Sequence, residues 1–81
     1  MTVHFEVSGE ASSGLLCRVL GLFAQLDLPA PELTVRLDGG RMALDARTAH
    51  FGDPLVSTVA CKMARLVGVA AVRLEGETVL R

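Results

Sequence analysis

Few side chains in this 81-residue chain are equipped for chemistry, and those few stand apart. His4 and His50 are of the residue type most often used for acid–base chemistry. His4 falls on the polar side of an alternating segment and His50 in a loop, so both read as ordinary surface histidines. No nucleophile has a base placed beside it. Asp45 and Asp53 are separated by a turn, and nothing in the sequence forces them into a carboxylate pair. Cys17 and Cys61 have neither a CxxC partner nor a companion His pair, so two part-buried thiols are expected in place of a disulfide or a zinc site. Gly9 and Gly14 bracket a loop, but neither GxGxxG nor GxxxxGK[ST] surrounds them. The residues name no catalytic group, no metal ligand and no cofactor.

The bulk composition points the same way. Eight basic and nine acidic residues are scattered along the chain for a formal net charge of −1, so no basic stripe offers itself to phosphates. With three Phe and no Tyr or Trp there is little to stack on bases, which argues against nucleic acid. The chain is 51% hydrophobic, yet no apolar run approaches the roughly 20 residues of a bilayer span. The N-terminus lacks a basic segment followed by an apolar stretch, so a cytoplasmic protein is expected. One domain of this size hides only part of its apolar surface, and exposed apolar patches mark interfaces. An oligomer or an obligate subunit is expected.

The elements that would carry these residues follow from periodicity. Val3, Phe5 and Val7 alternate with His4, Glu6 and Ser8, the period of a strand with one buried face. Gly9 to Ser13 reads as a loop, and either Ser12 or Ser13 is suited to cap the helix that follows. In that helix Leu15, Leu16, Val19, Leu20, Leu22, Phe23 and Leu26 share one broad arc, with Arg18, Gly21 and Gln25 opposite. The helix should stop near Leu28, because Pro29 disfavours helical geometry before it. Leu33, Val35 and Leu37 then alternate with polar residues, and beyond Gly39-Gly40 the alternation resumes in Met42, Leu44 and Ala46. A primed hairpin turn at the two glycines pairs Asp38 with Arg41 and stacks Leu37 on Met42, Val35 on Leu44 and Leu33 on Ala46 as core pairs. Asp53 reads as the cap of a second helix with Pro54 at its first position, and Leu55, Val56, Val59, Ala60, Met63, Leu66 and Val67 form its buried side. Gly68 suits the left-handed residue after it, and Val72 and Leu74 supply a last strand before a polar tail.

The order is βαββαβ. Right-handed crossovers place both helices on one face of a four-stranded antiparallel sheet, a ferredoxin-like α+β sandwich spanning residues 1–81 as one domain. Folds of this kind also host copper chaperones, acylphosphatases and RNA-recognition modules. Here the first loop contains neither CxxC nor arginine, and the outward positions of strands one and three carry His4, Glu6, Ala43 and Asp45 where stacking aromatics would be needed.

The stretch Ser13-Gly14-Leu15-Leu16-Cys17-Arg18-Val19-Leu20-Gly21-Leu22-Phe23-Ala24 resembles the loop and first helix of ACT domains. In those, a Pro-Gly or Ser-Gly pair precedes an aliphatic pair, an Arg-Val and a Gly-Leu-Phe. It is similar in particular to the small regulatory subunits of acetolactate (acetohydroxyacid) synthase, in their short single-domain form. Lys62-Met63, Arg65-Leu66 and Val69 resemble that family's Gln-Leu-x-Lys-Leu-x-x-Val, with only Leu66 and Val69 identical.

The resemblance implies a non-catalytic regulatory subunit that binds and activates a large thiamine-diphosphate-dependent synthase subunit. The alternative it leaves open is a free-standing amino-acid sensor. It also implies a homodimer in which helix one and strand two of two chains meet, with Gly21, Gln25, Glu32, Thr34 and Arg36 at the contact. Gly21 reads either as a point of close approach by the second chain or as an idle helical glycine. An amino-acid effector would lie at the domain interface, against Ser12, Ser13, Gly14 and Leu15 of the first loop and against Pro29 and Ala30 before strand two. Several of these positions depart from the family. Pro29 stands where an Asn is common, Ala30 where Ile is usual, Ala11 replaces a polar residue and Ser13 stands where many have proline. Proline offers neither a side-chain amide nor an N–H, so weak or lost amino-acid binding is expected.

Overall fold

The computed structural model describes residues 1–79. β1 (Thr2–Glu10), α1 (Ser13–Gln25), β2 (Glu32–Asp38), β3 (Arg41–Ala49), α2 (Asp53–Ala64) and β4 (Val69–Leu74) follow in the expected order, and a short β5 (Glu77–Thr78) is added. The sheet is antiparallel in the order β2-β3-β1-β4-β5, a ferredoxin-like α+β fold. The β2–β3 register is the expected one, from Asp38 opposite Arg41 through Val35 opposite Leu44 to Glu32 opposite Arg47. Of the two turn glycines only Gly39 has positive φ, 61°, the φ pattern of a type II′ turn.

β1 extends two residues past the alternation, because Gly9 is a strand residue and not the start of a loop. It pairs with Met42, and the register against β4 shifts between Ser8 and Gly9. A Cβ on Gly9 would lie 2.2 Å from the carbonyl oxygen of Gly68, so only glycine lets the chain before β4 approach this closely. Gly68 has the expected positive φ, 95°, but it lies in the connection to β4 and does not end the second helix, whose cap is Arg65.

The helix ends differ from the reading by sequence. α1 stops at Gln25 through a Schellman arrangement: Asp27 has φ of 54°, its N–H bonds Ala24 and the N–H of Leu28 bonds Phe23 (3.2 and 2.9 Å). The stop thus precedes Pro29 and uses a left-handed Asp. At α2 the cap is Gly52 with φ of 99°, Asp53 is already helical, and its carboxylate pairs with His50 at 2.9 Å instead of capping. α2 ends at Ala64, one turn early, which leaves Val67 73% exposed in the connection to β4.

The core is built from β1, β3, β4 and both helices, and no β2 residue belongs to it. Phe5 is fully buried, edge-on to Phe23 and stacked on Phe51. Leu33 only packs partly against this core, while Val35 and Leu37, expected as core, are 38% and 69% exposed. Leu20 of α1, placed in the buried arc by periodicity, is 39% exposed. The reason is positional: β2 is the sheet's outer strand and nothing among the described residues covers the strip between it and α1. Both thiols, Cys17 and Cys61, are exposed and not part-buried, each on the solvent side of its helix. The unexpected β5 closes a two-residue turn with positive φ at Glu75 and Gly76, stapled by the Arg73 guanidinium on the Gly76 carbonyl (3.1 and 2.7 Å).

Candidate functional site

The two ends of the sheet hold different halves of the expected effector site. At one end the β1–α1 loop is held by Ser12, whose Oγ accepts from the Leu15 N–H at 3.0 Å, so one serine oxygen serves the helix. The Ala11 N–H donates to the Gly40 carbonyl and ties this loop to the β2–β3 turn. Ser13 and Gly14 are exposed, whereas Leu15 is fully buried and presents no side chain outward. A Cβ at Gly14 would sit 3.4 Å from the Arg18 guanidinium, which crosses the loop to donate to the Val67 carbonyl at 3.1 Å.

Pro29 and Ala30, both exposed, lie at the other end. Glu32 pairs with Arg47 and Arg47 with His4, while Leu37 pairs with Met42 and Met42 with Gly9, just before the loop. The 13-residue α1 separates the two ends by about 20 Å at 1.5 Å per residue. One chain therefore does not bring Ser12, Ser13, Gly14 and Leu15 together with Pro29 and Ala30.

What the loop does adjoin is a groove of about 240 Å³ between α1 and β2, lined by Ala11, Ser12, Ser13, Leu16, Val35, Leu37 and Met42. None of these side chains is charged. Of its lining, Val35 and Leu37 are exposed, and so is Leu20 of α1. Sequence reasoning counted these residues as core, and their place beside an edge strand was the one available sign that they would be left uncovered. Of the expected contact residues, Gln25, Glu32, Thr34 and Arg36 are exposed and Gly21 is half-buried. A Cβ added at Gly21 would meet nothing within 4 Å, so no packing inside the chain requires glycine there.

Both histidines and several of the charged side chains are paired with one another. His4 Nε2 and Asp45 Oδ1 are 2.9 Å apart on the open sheet face, and Arg73 lies 3.9 Å from Glu6. In the loop before α2, His50 Nδ1 accepts from the Gly52 N–H at 3.1 Å and its Nε2 faces Asp53. Both ring nitrogens of His50 are thus in use, and neither is turned toward a serine or cysteine. Among the described residues no three His, Cys, Asp or Glu side chains are grouped to hold a metal ion. No helix among them is long and apolar enough to cross a membrane.

Comparison with known proteins places this geometry. The ACT domain of the GTP pyrophosphokinase from Chlorobium tepidum superposes on it with TM-scores of 0.76 for a crystal structure and 0.75 for a solution NMR structure. Each shares 15% identity and covers 91% of this chain, with 96% and 84% of the respective domains matched, so the likeness is one of fold. No curated protein matches the sequence. The profile of the ACT-like domain matches residues 1–80, nearly the whole chain, and the chain belongs to the ACT-like family of regulatory small-molecule-binding domains.

Proposed function

We propose that this domain is a non-catalytic regulatory subunit that works as a homodimer and activates a separate synthase subunit. The observation that carries the reading is the pair of exposed apolar residues Val35 and Leu37 on the free β2 edge, with Leu20 of α1 exposed as well. Such exposure on a domain this small marks a surface meant for another chain. The choice of partner enzyme is supported by the first helix alone, where Ser13-Gly14-Leu15-Leu16 with Arg18-Val19 and Gly21-Leu22-Phe23 resembles the small subunits of acetolactate synthase. Reconstitution with the thiamine-diphosphate-dependent large subunit tests this, with a rise in its rate on addition of the domain as the expected result. No binding and no rate change would instead support the second reading, a free-standing sensor, for which the groove between α1 and β2 is the motive.

The effector site in this reading is weak for amino acids. Pro29 supplies no donor, Ser12 is engaged by the Leu15 N–H, and the groove has no charged lining to meet an ammonium or carboxylate. Two missing charge-assisted hydrogen bonds, at about 1.5–3 kcal/mol each, weaken binding by a hundredfold or more. Isothermal titration with valine, leucine and isoleucine is expected to give no saturable heat at micromolar ligand. A clear low-micromolar isotherm would mean that Ser13 and the loop backbone have rebuilt the pocket.

A further inference from the structure

The helical layer of this domain is short of carboxylates. From Ala11 to Leu26 and from Pro54 to Leu74 there is no Asp or Glu, so α1 carries none and α2 only Asp53 at its start, which is turned to His50. The same two stretches hold Arg18, Lys62, Arg65 and Arg73. Arg73 is drawn to Glu6 and to the Gly76 carbonyl. The other three gather at one corner of the molecule.

Lys62 and Arg65 are exposed in the last turn and cap of α2, three residues apart and so neighbours on one face. Arg18 reaches the same corner from α1, where its Nη1 donates to the Val67 carbonyl at 3.1 Å. Val67, two residues past Arg65 and held by Arg18, is 73% exposed. Arg18, Lys62 and Arg65 have no ion pair within 4 Å among the described residues. The Glu10 carboxylate also reaches this connection, 3.5 Å from where a Cβ on Gly68 would lie, without pairing with Arg18. Three cations against one carboxylate leave the corner positive. The C-terminal end of a helix favours cations, but it is worth only about half a negative charge against the two full positive ones of Lys62 and Arg65. It gives no reason for Arg18 or for a bare valine.

We propose that this corner of Arg18, Lys62, Arg65 and Val67 is the docking surface for the large synthase subunit, and that its occupant is an acidic segment of that subunit with an apolar side chain seated on Val67. This deepens the activating-subunit reading above and rests on it. The cations orient the incoming chain and the valine adds apolar burial, for which a small hydrated anion has no use. α2 packs on β4 and β1, on the far side of the sheet from β2, so the contact is separate from the β2 edge that serves the homodimer.

Lys62 is the only lysine of the chain, so carbodiimide coupling, which joins an amine directly to a carboxylate as an amide, reads the contact on the native protein. Mass spectrometry of the coupled subunits is expected to find Lys62 joined to an Asp or Glu of the large subunit. Raising ionic strength from about 0.05 M to about 0.5 M is expected to weaken the native complex severalfold. Lys62→Glu combined with Arg65→Glu is expected to weaken it about tenfold or more, and Val67→Asp by as much. Arg47→Glu, an exposed reversal on the open sheet face, is expected to change it by less than about twofold. The cross-link and the salt effect need no variant, so they decide the matter even where a substitution prevents folding. Full affinity in the charge-reversed pair or in Val67→Asp, or a cross-link from the Met1 amine in place of Lys62, overturns the surface and leaves the activating-subunit reading standing. A large subunit that the native domain neither binds nor activates overturns both together.

Discussion

Two glycines show how differently the same residue type is used. Gly9 is fixed by a neighbour: its missing side chain lets the Gly68 carbonyl come within 2.2 Å of where a Cβ would be, and the Glu10 N–H bonds that carbonyl at 3.0 Å. Gly9→Ala must push β1 and the chain before β4 apart, at a cost of about 1–3 kcal/mol by analogy with overpacked cores. Gly21 meets nothing within 4 Å, and a helical glycine costs about 0.5–1 kcal/mol relative to alanine. Gly21→Ala is expected to raise the stability of the dilute, monomeric chain by about that amount and to weaken self-association if a second helix packs there. Urea denaturation checks the first two effects and sedimentation the third. The opposite signs of the two stability changes make the contrast testable in one series.

Among the elements, α1 is the one whose ends are both set by particular residues. Its start has a hydroxyl cap at Ser12. Its end places Asp27 in the left-handed region at φ of 54°, where a side chain is strained and where a negative charge faces the negative end of the helix dipole. Asp27→Gly removes both penalties and is expected to stabilise the fold by about 0.5–1 kcal/mol, visible as a higher midpoint in thermal unfolding. A lower midpoint would mean that Asp27 makes a favourable contact which the strain conceals. α2 shows the opposite economy at its start. Gly52 caps it without a side-chain bond, and Asp53 is turned back to His50.

For the whole molecule the decisive feature is asymmetry between the sheet's two edges. The β4 side ends in the short β5 hairpin, bound through Arg73 to the Gly76 carbonyl, whereas the β2 side is a full seven-residue strand left open. Leu37, 69% exposed beside that edge, contributes little to the monomer. Leu37→Lys is therefore expected to change unfolding free energy by less than about 0.5 kcal/mol while abolishing self-association at tens of micromolar. Sedimentation and denaturation on the same sample separate the two effects. A large loss of monomer stability would mean that Leu37 is core after all.

Alternation and turn chemistry were enough to establish the element order, the β2–β3 register, the turn at Gly39 and the positive φ of Gly68, because each depends on neighbours close in sequence. The β4–β5 hairpin was missed because Glu75-Gly76 is a weak turn signal beside Asn-Gly or Asp-Gly. Of the groove's lining, Ser12 and Ser13 were legible as loop residues before a helix, because a capping serine is a matter of residue identity. Periodicity tells which residues share a face, but not whether anything lies on that face. Only the tertiary structure decided that α1 stops short of covering β2, so that Leu20, Val35 and Leu37 are left bare while Val3, Phe5 and Val7 with the same alternation are buried. The Gly9–Gly68 approach and the separation of the Ser12–Leu15 loop from Pro29 and Ala30 are likewise decided by tertiary structure, since both depend on distances between segments far apart in the chain.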